Sequence, residues 1–292
     1  MKPVFRFAVV LLMAGMSSLV FGQAPPDQFF DSNGVRIRYI EHGTGEPVVL
    51  VHGYTGIAEA NWVAPKVFDE LAKNFRVIAL DCRGHGKSDK PHDPKQYGQE
   101  MALDVVRLLD HLKIRKAHIV GYSMGALITA KLLTLKPERF LTATLGGQGG
   151  LLDPTEADLK LHDQLAADME KGSLRSLILA LTPKDQPAPT EEQIKQSETS
   201  LLSGKDTAAL AAVARSLRNL KITEAQVAAI KVPTLAIIGT ADPLIEYVNK
   251  LKKAMPKLEV VPVEGARHIT AFGRPEFIAA LQEFLKANSI KK

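Results

Sequence analysis

Strand-like and helix-like segments alternate along most of the chain. Residues 35–40 alternate apolar and polar side chains, which is typical of an antiparallel edge strand with one face in water. Between the strands, apolar positions spaced three and four apart predict amphipathic helices. This alternation predicts a largely parallel sheet with helices on both faces. Mainly apolar runs predict its buried strands at 47–51, 76–80, 117–120, 141–145, 234–238 and 258–263.

Residues 148–231 interrupt this alternation. The segment is rich in Ala, Leu, Lys and Glu and has no convincing strand. It is much longer than a single crossover connection requires, so we expect a helical lid inserted between two strands. The alternative is a set of ordinary crossover helices. The remaining core would comprise residues 23–147 and 232–292. Helices of the insertion are predicted around 155–171, 173–182, 190–202 and 206–218.

The first residues have the order of a secretory signal peptide. Lys2 and Arg6 precede an apolar stretch over 7–20, and the small residue Gly22 follows it. This order predicts a signal peptide at 1–22, cleaved near Gly22, and export to the periplasm or the medium. The stretch is short for a membrane span, so no stable membrane insertion is expected after its removal. An uncleaved anchor is the alternative.

Charge and composition exclude several classes of function. The formal charge is +5, and removal of Lys2 and Arg6 leaves about +3, too little and too dispersed to predict nucleic-acid binding. The single cysteine, Cys82, excludes an intramolecular disulfide, and its place after a strand predicts a buried, unreactive thiol. Histidines and carboxylates do not occur at metal-ligand spacing, so neither a metal nor a cofactor is expected. No pattern indicates an oligomeric state.

The strongest chemical signal is Gly-Tyr-Ser-Met-Gly at 121–125. A serine hydroxyl is a poor nucleophile unless it is presented to a base. A Gly-x-Ser-x-Gly turn presents it, here Ser123, on a strained backbone between a strand and a helix. The runs at 117–120 and 126–135 supply that strand and helix. The backbone N–H of Met124 can then stabilise a developing oxyanion. The alternative is a glycine-rich structural turn.

Two further loops with glycines follow buried strands. The first is His-Gly-Tyr-Thr-Gly at 52–56, where the backbone N–H of Tyr54 is the candidate for a second oxyanion donor. His52 is expected to brace this loop rather than to transfer protons. The second is Asp-Cys-Arg-Gly-His-Gly-Lys-Ser-Asp at 81–89. Its residues with expected structural roles are Asp81, Arg83 and His85.

These three motifs, in this order and spacing, resemble the α/β-hydrolase superfamily. They are most similar to the branch that contains serine esterases, cofactor-free haloperoxidases, C–C bond hydrolases and haloalkane dehalogenases. The resemblance covers the chain after the leader except for the lid, whose sequence is not diagnostic. It implies an eight-stranded, mostly parallel sheet with helices on both faces and a lid after the sixth strand. It also implies a catalytic triad in the order nucleophile, acid, histidine.

The resemblance places the acid and the histidine after the last two strands. Asp242 follows the next-to-last predicted strand, although it also suits a helix N-cap. His268 follows the last predicted strand and is the only histidine in that part of the chain. In this interpretation His268 takes the proton of Ser123, while Asp242 orients the imidazole and stabilises its cation.

A serine at position 123 narrows the chemistry. Dehalogenases and epoxide hydrolases of this superfamily carry an aspartate there, so hydrolysis of small or medium carboxylic esters through an acyl-enzyme on Ser123 is our first hypothesis. C–C bond hydrolysis or perhydrolase activity with the same triad is the second, and lactone or amide hydrolysis stays open. A non-catalytic, hydrolase-like protein that binds a small molecule is the alternative from another class. Candidate pocket residues, each equally suited to packing, are Trp62, Tyr122 and Gln148.

Overall fold

An eight-stranded sheet organises the protein. The computed structural model describes residues 25–290, so the predicted signal peptide at 1–22 lies outside the described residues. The strands lie in the order β1-β2-β4-β3-β5-β6-β7-β8, and all pairs from β4 to β8 are parallel. This confirms the predicted fold class. The strands are β1 Gln28–Asp31, β2 Arg36–His42, β3 Pro47–Val51, β4 Arg76–Leu80, β5 Ala117–Tyr122, β6 Phe140–Gly146, β7 Thr234–Gly239 and β8 Glu259–Val263.

The first strand was not predicted from the sequence. It is four residues long and pairs antiparallel with β2 at the edge of the sheet. A tight turn joins the two strands, and Asn33 and Gly34 both have positive φ angles of 58° and 80°. Asn-Gly is a strong signal for a two-residue hairpin turn, so this pair could have revealed β1.

Helices cover both faces of the sheet. Alternate residues of a strand point to opposite faces: Val49 and Val51 pack with residues of α2 and α3, whereas Val48 and Leu50 pack with residues of α1 and α10. The helices are α1 Val67–Ala72, α2 Gln99–His111, α3 Met124–Leu135, α4 Glu156–Glu170, α5 Arg175–Ala180, α6 Glu191–Leu202, α7 Thr207–Ser216, α8 Glu224–Ala228, α9 Ile245–Ala254 and α10 Pro275–Ala287.

Five of these helices, α4 to α8, lie between β6 and β7. Helices α4 and α7 share a small apolar core in which Leu165 and Met169 pack with Leu210 and Ala214. Helices α4 and α6 each begin with a capping box, the first of them at Thr155. In a capping box the threonine oxygen accepts an N–H of the first turn that would otherwise be unpaired. The short α8 was not predicted. Within residues 25–290, no helix combines the length and the apolar character needed to cross a bilayer.

Candidate active site

Ser123 occupies a strained turn between β5 and α3. Its φ of 54° lies in the left-handed region, which is rare for a residue with a side chain. The surrounding packing explains the two glycines of the motif. A Cβ at Gly121 would lie 2.0 Å from the carbonyl oxygen of Gly125, and a Cβ at Gly125 would lie 2.0 Å from that of Val51. The turn can therefore form only with glycine at both positions.

The structure brings Ser123, His268 and Asp242 together. The Ser123 hydroxyl lies 2.9 Å from His268 Nε2, and His268 Nδ1 lies 2.8 Å from Asp242 Oδ2. Because a carboxylate can only accept, Nδ1–H donates to Asp242, and Nε2 is left to accept the serine proton. The other oxygen of Asp242 accepts the backbone N–H of Leu244 at 2.9 Å. Both the imidazole and the carboxylate are buried.

Sheet topology accounts for this convergence. Ser123, Asp242 and His268 follow β5, β7 and β8, and these parallel strands end at the same edge of the sheet. The loop that carries His268 is also held directly. The Tyr122 hydroxyl donates a hydrogen bond to the backbone carbonyl of His268 at 2.5 Å.

Two backbone N–H groups beside the serine have no acceptor among residues 25–290: those of Tyr54 and Met124. Met124 is the first residue of α3, where N–H groups have no intrahelical partner. The loop that carries Tyr54 packs tightly against the serine, since a Cβ on Gly53 would lie 3.2 Å from the Cβ of Ser123. Both N–H groups are available to an oxyanion.

His52 holds that loop in place. Its Nε2 accepts the N–H of Cys82 at 3.0 Å, so its Nδ1–H is the donor to the carbonyl of Gly53 at 2.8 Å. Burial lowers the pKa of the imidazole, which favours the neutral form needed for this pair of bonds. Burial also raises the pKa of the Cys82 thiol well above its ordinary value, as expected for an unreactive cysteine.

The loop at 81–89 is held by buried charges. Asp81 accepts the N–H groups of Ala58 and Lys87, each at 2.9 Å. Arg83 makes a bidentate pair with the buried Asp104, at 2.7 and 2.5 Å. These contacts give Asp81 and Arg83 the predicted structural roles. Within the described chain, no cluster of three or more His, Cys, Asp or Glu side chains is arranged to hold a metal.

A small space of about 90 Å³ is lined in part by Ser123, and we call it the inner cavity. Its walls come from the catalytic edge, from the insertion and from the start of α9, and most of them are apolar. The lining residues are Tyr54, Ser123, Met124, Leu127, Gln148, Leu151, Leu161, His162, Leu165, Leu177, Ala180, Leu181, Leu217, Leu244 and Tyr247.

A second, wider space of about 710 Å³ is lined in part by His268, and we call it the outer groove. It runs between α5, α6 and the proline-rich turn at 183–189, and it includes the exposed side chain of Ile269. Leu177 and Leu181 line both spaces. The two spaces therefore share a wall at the C-terminal part of α5.

Two of the three candidate pocket residues require correction. Gln148 lines the inner cavity, but Trp62 and Tyr122 do not. Trp62 is completely buried in the core beside α1. The ring of Tyr122 packs on Phe277 of α10, on the opposite face of the sheet from α3. Aromatic character next to the nucleophile does not decide which face of the sheet a side chain reaches.

Besides Tyr247, sequence analysis missed a second polar residue of the inner cavity, His162. It lies on α4, four residues from Asp158, and it is the only histidine among residues 148–231. A single histidine in an insertion otherwise rich in Ala, Leu, Lys and Glu was the available signal.

Comparisons with known proteins agree with this geometry. The model of the α/β-hydrolase fold family matches residues 46–275, so the chain belongs to that family. This confirms the resemblance carried by the three motifs.

Individual relatives cover less of the chain. An acetyltransferase component of the acetoin cleaving system from Cupriavidus necator is 38% identical over 130 residues, which are 43% of this chain and 33% of that protein. A 2-hydroxymuconate semialdehyde hydrolase from Pseudomonas sp. strain CF600 is 40% identical over 124 residues, 41% of this chain and 43% of that protein. The chain thus spans less than half the length of these two curated relatives.

Solved structures match over nearly the whole chain. A carboxylesterase structure from the ammonia-oxidizing thaumarchaeon Nitrososphaera gargenis superposes with a TM-score of 0.72 at 23% identity, and the match covers 90% of this chain and 98% of that one. At this identity the match establishes the fold alone.

Proposed function

We propose that the protein hydrolyses carboxylic esters through an acyl-enzyme on Ser123. The observation that carries the proposal is the continuous hydrogen-bonded chain from the Ser123 hydroxyl through His268 to Asp242. In the first step His268 takes the serine proton as the hydroxyl oxygen attacks the ester carbonyl, and it then returns that proton to the leaving alcohol. Water, activated by the same imidazole, releases the acid in the second step.

The backbone N–H groups of Tyr54 and Met124 would stabilise the oxyanion formed in each step. They lie on the loop after β3 and at the start of α3, and both lack another acceptor in the described part of the chain. Fixed donors of this kind act where charge develops, and loss of one typically costs about 10²–10³-fold in kcat. Asp242 would hold the imidazole in the required tautomer and stabilise its cation.

The size of the inner cavity supports short acyl groups. The inner cavity, at about 90 Å³, is much smaller than the outer groove, and its walls are mainly apolar, which favours short acyl groups over long ones. We propose that the acyl group enters the inner cavity and that the alcohol lies towards the outer groove. Segment 148–231 acts in this proposal as a lid, since Leu161, Leu165 and Leu177 form the wall opposite Ser123.

A series of p-nitrophenyl esters with acyl chains of two to sixteen carbons tests this function. We expect the highest kcat/KM for chains of two to four carbons, and no turnover by the Ser123→Ala variant. Preference for the longest chains would refute the assignment of the inner cavity. Tight binding of a small molecule without turnover of any substrate would instead favour the non-catalytic alternative.

The second candidate is hydrolysis of a C–C bond beside a ketone, which uses the same three residues. Its support is the 40% identity to a 2-hydroxymuconate semialdehyde hydrolase over part of the chain. Parallel assays with an ester and a 2-hydroxy-6-oxo-dienoate separate the two chemistries. Faster turnover of the dienoate would make C–C hydrolysis the main activity.

We also propose that the protein is exported. The support is the sequence pattern of residues 1–22, in which Lys2 and Arg6 precede an apolar stretch. Expression of the full chain in a bacterium, followed by mass determination of the product, tests this. A periplasmic or secreted product that begins shortly after Gly22 is expected, whereas a full-length, membrane-bound product would indicate an anchor.

A further inference from the structure

His162 presents an unpaired imidazole at the inner cavity. Neither ring nitrogen has a hydrogen-bond partner among residues 25–290, and Nδ1 is completely buried. Burial lowers the pKa of the ring, so at neutral pH it is uncharged, with one N–H donor and one lone pair. A buried polar group without a partner costs free energy, and a native protein rarely keeps one without a reason.

Gln148 supplies a second polar group at the same cavity. Its Oε1 accepts the backbone N–H of Gly149 at 2.8 Å. Because only the oxygen of the amide can accept that proton, the orientation of the side chain is fixed. The Nε2 group therefore keeps its two donors, and it has no acceptor among the described residues.

The charges near His162 are already paired or lie outside the cavity. Arg218 donates to Asp163 at 2.6 Å, and Asp158 accepts the hydroxyl of Tyr247. Among the described residues that line the inner cavity, none is lysine or arginine. A carboxylate in the inner cavity would therefore have no cation with which to form an ion pair. A neutral polar group fits better.

We propose that His162 and Gln148 bind a hydroxyl group on the acyl part of the substrate, which makes the protein an esterase for short hydroxyacyl esters. A hydroxyl donates one hydrogen bond and accepts others, so it can satisfy the lone pair of the imidazole and a donor of Gln148 together. The proposal rests on the proposed function, since it names the acyl group of that reaction. Both residues act on specificity and take no part in proton transfer.

Pairs of esters in which a methyl replaces a hydroxyl test the proposal. Methyl 3-hydroxypropionate is compared with methyl butyrate, and methyl lactate with methyl isobutyrate, so that each pair has nearly equal volume. We expect the wild-type protein to favour at least one hydroxyl ester over its partner by about tenfold or more in kcat/KM, because a site built for a hydrogen bond rejects an analogue that lacks it.

His162→Phe and Gln148→Met remove the polar atoms and approximately keep the volume. Each should reduce the hydroxyl preference, taken as the ratio of kcat/KM values within a pair, about tenfold. Leu161→Met, a neighbouring apolar change, is the matched control and should leave the ratio unchanged. Should one polar variant fail to fold, the other variant still tests the hydroxyl preference.

The outcomes are distinguishable. Equal turnover of both esters in each pair by the wild type, or an unchanged ratio in His162→Phe and Gln148→Met, overturns the hydroxyacyl assignment and leaves ester hydrolysis intact. Absence of turnover for all four esters, and for p-nitrophenyl esters as well, overturns the proposed function itself.

Discussion

The hydroxyl of Tyr122 lies 2.5 Å from the backbone carbonyl oxygen of His268, although the two residues are 146 positions apart. Tyr122 directly precedes Ser123, so one side chain connects the turn of the nucleophile to the loop of the base. The same ring packs on Phe272 and Phe277, which follow the histidine. A contact outside these three side chains thus helps to hold Ser123 and His268 within hydrogen-bonding distance.

Tyr122→Phe should weaken this support. Loss of the hydroxyl leaves a buried carbonyl unpaired, which costs about 1–3 kcal/mol, and it allows the His268 loop to shift. We expect a fall of about tenfold in kcat with a smaller change in KM, measured with p-nitrophenyl acetate. Tyr97→Phe is the matched control, because its hydroxyl donates to the carbonyl of Pro91, away from the site. Equal kcat values for both variants would contradict a positioning role.

Asp242→Asn should leave the fold intact and remove most of the activity. An asparagine has only one oxygen, and if that oxygen keeps the N–H of Leu244, the amide N–H faces Nδ1 and favours the wrong imidazole tautomer. It also has no charge to stabilise the imidazolium, so kcat should fall about 10³–10⁴-fold. Single-turnover and steady-state rates measure the loss, and thermal melting checks the fold. Asp185→Asn, at an exposed position, is the control and should retain full activity. Near-normal turnover by Asp242→Asn would exclude the carboxylate from the mechanism.

Gly125→Ala should destabilise the protein severely. The added methyl would lie 2.0 Å from the carbonyl oxygen of Val51, and neither backbone can move without breaking the contact between α3 and β3. We expect the free energy of unfolding in urea to fall by more than about 3 kcal/mol, or no soluble protein. At Gly273 the nearest atom would be 3.5 Å away, so Gly273→Ala should be tolerated. A stable, active Gly125→Ala variant would contradict the packing described for the turn.

Stability should decline in mild acid because burial lowers the pKa of several histidines, His52 and His85 among them. Burial lowers the pKa of His52 and of His85 below the ordinary value of 6.5. Below about pH 6.5 these imidazoles therefore bind protons in the unfolded chain that they do not bind in the folded chain. The free energy of unfolding then falls with decreasing pH, by up to about 1.4 kcal/mol per pH unit for each imidazole.

His85→Leu isolates one of these contributions. Its Nε2 has no partner within the described part of the chain, so the substitution removes only the hydrogen bond between Nδ1 and the carbonyl of Arg83. We expect the loss of stability between pH 7 and pH 5, measured by urea unfolding, to become smaller than in the wild type. His42→Gln, at an exposed position, is the control. An unchanged slope in His85→Leu would mean that this ring is not kept neutral by burial.

Much of the fold and of the triad follows from local rules. Apolar runs indicated six of the eight strands, because burial on both faces demands continuous apolar residues, and the apolar–polar alternation at 35–40 indicated β2. The sequence 121–125 specified the nucleophile turn, since a Cβ at Gly121 would collide with the carbonyl oxygen of Gly125 within the same motif. The resemblance to the α/β-hydrolase superfamily then indicated Asp242 and His268, and the parallel order of the strands brings both to the same edge.

Only the tertiary structure decided what surrounds that edge. Sequence periodicity does not say which face of the sheet Tyr122 reaches, nor that Trp62 lies in the core. The inner cavity is formed by side chains from the catalytic edge, α4, α5 and α9, and their separation depends on how distant segments pack. The role proposed for His162 also depends on packing, because only the folded structure leaves this helical histidine unpaired at the inner cavity.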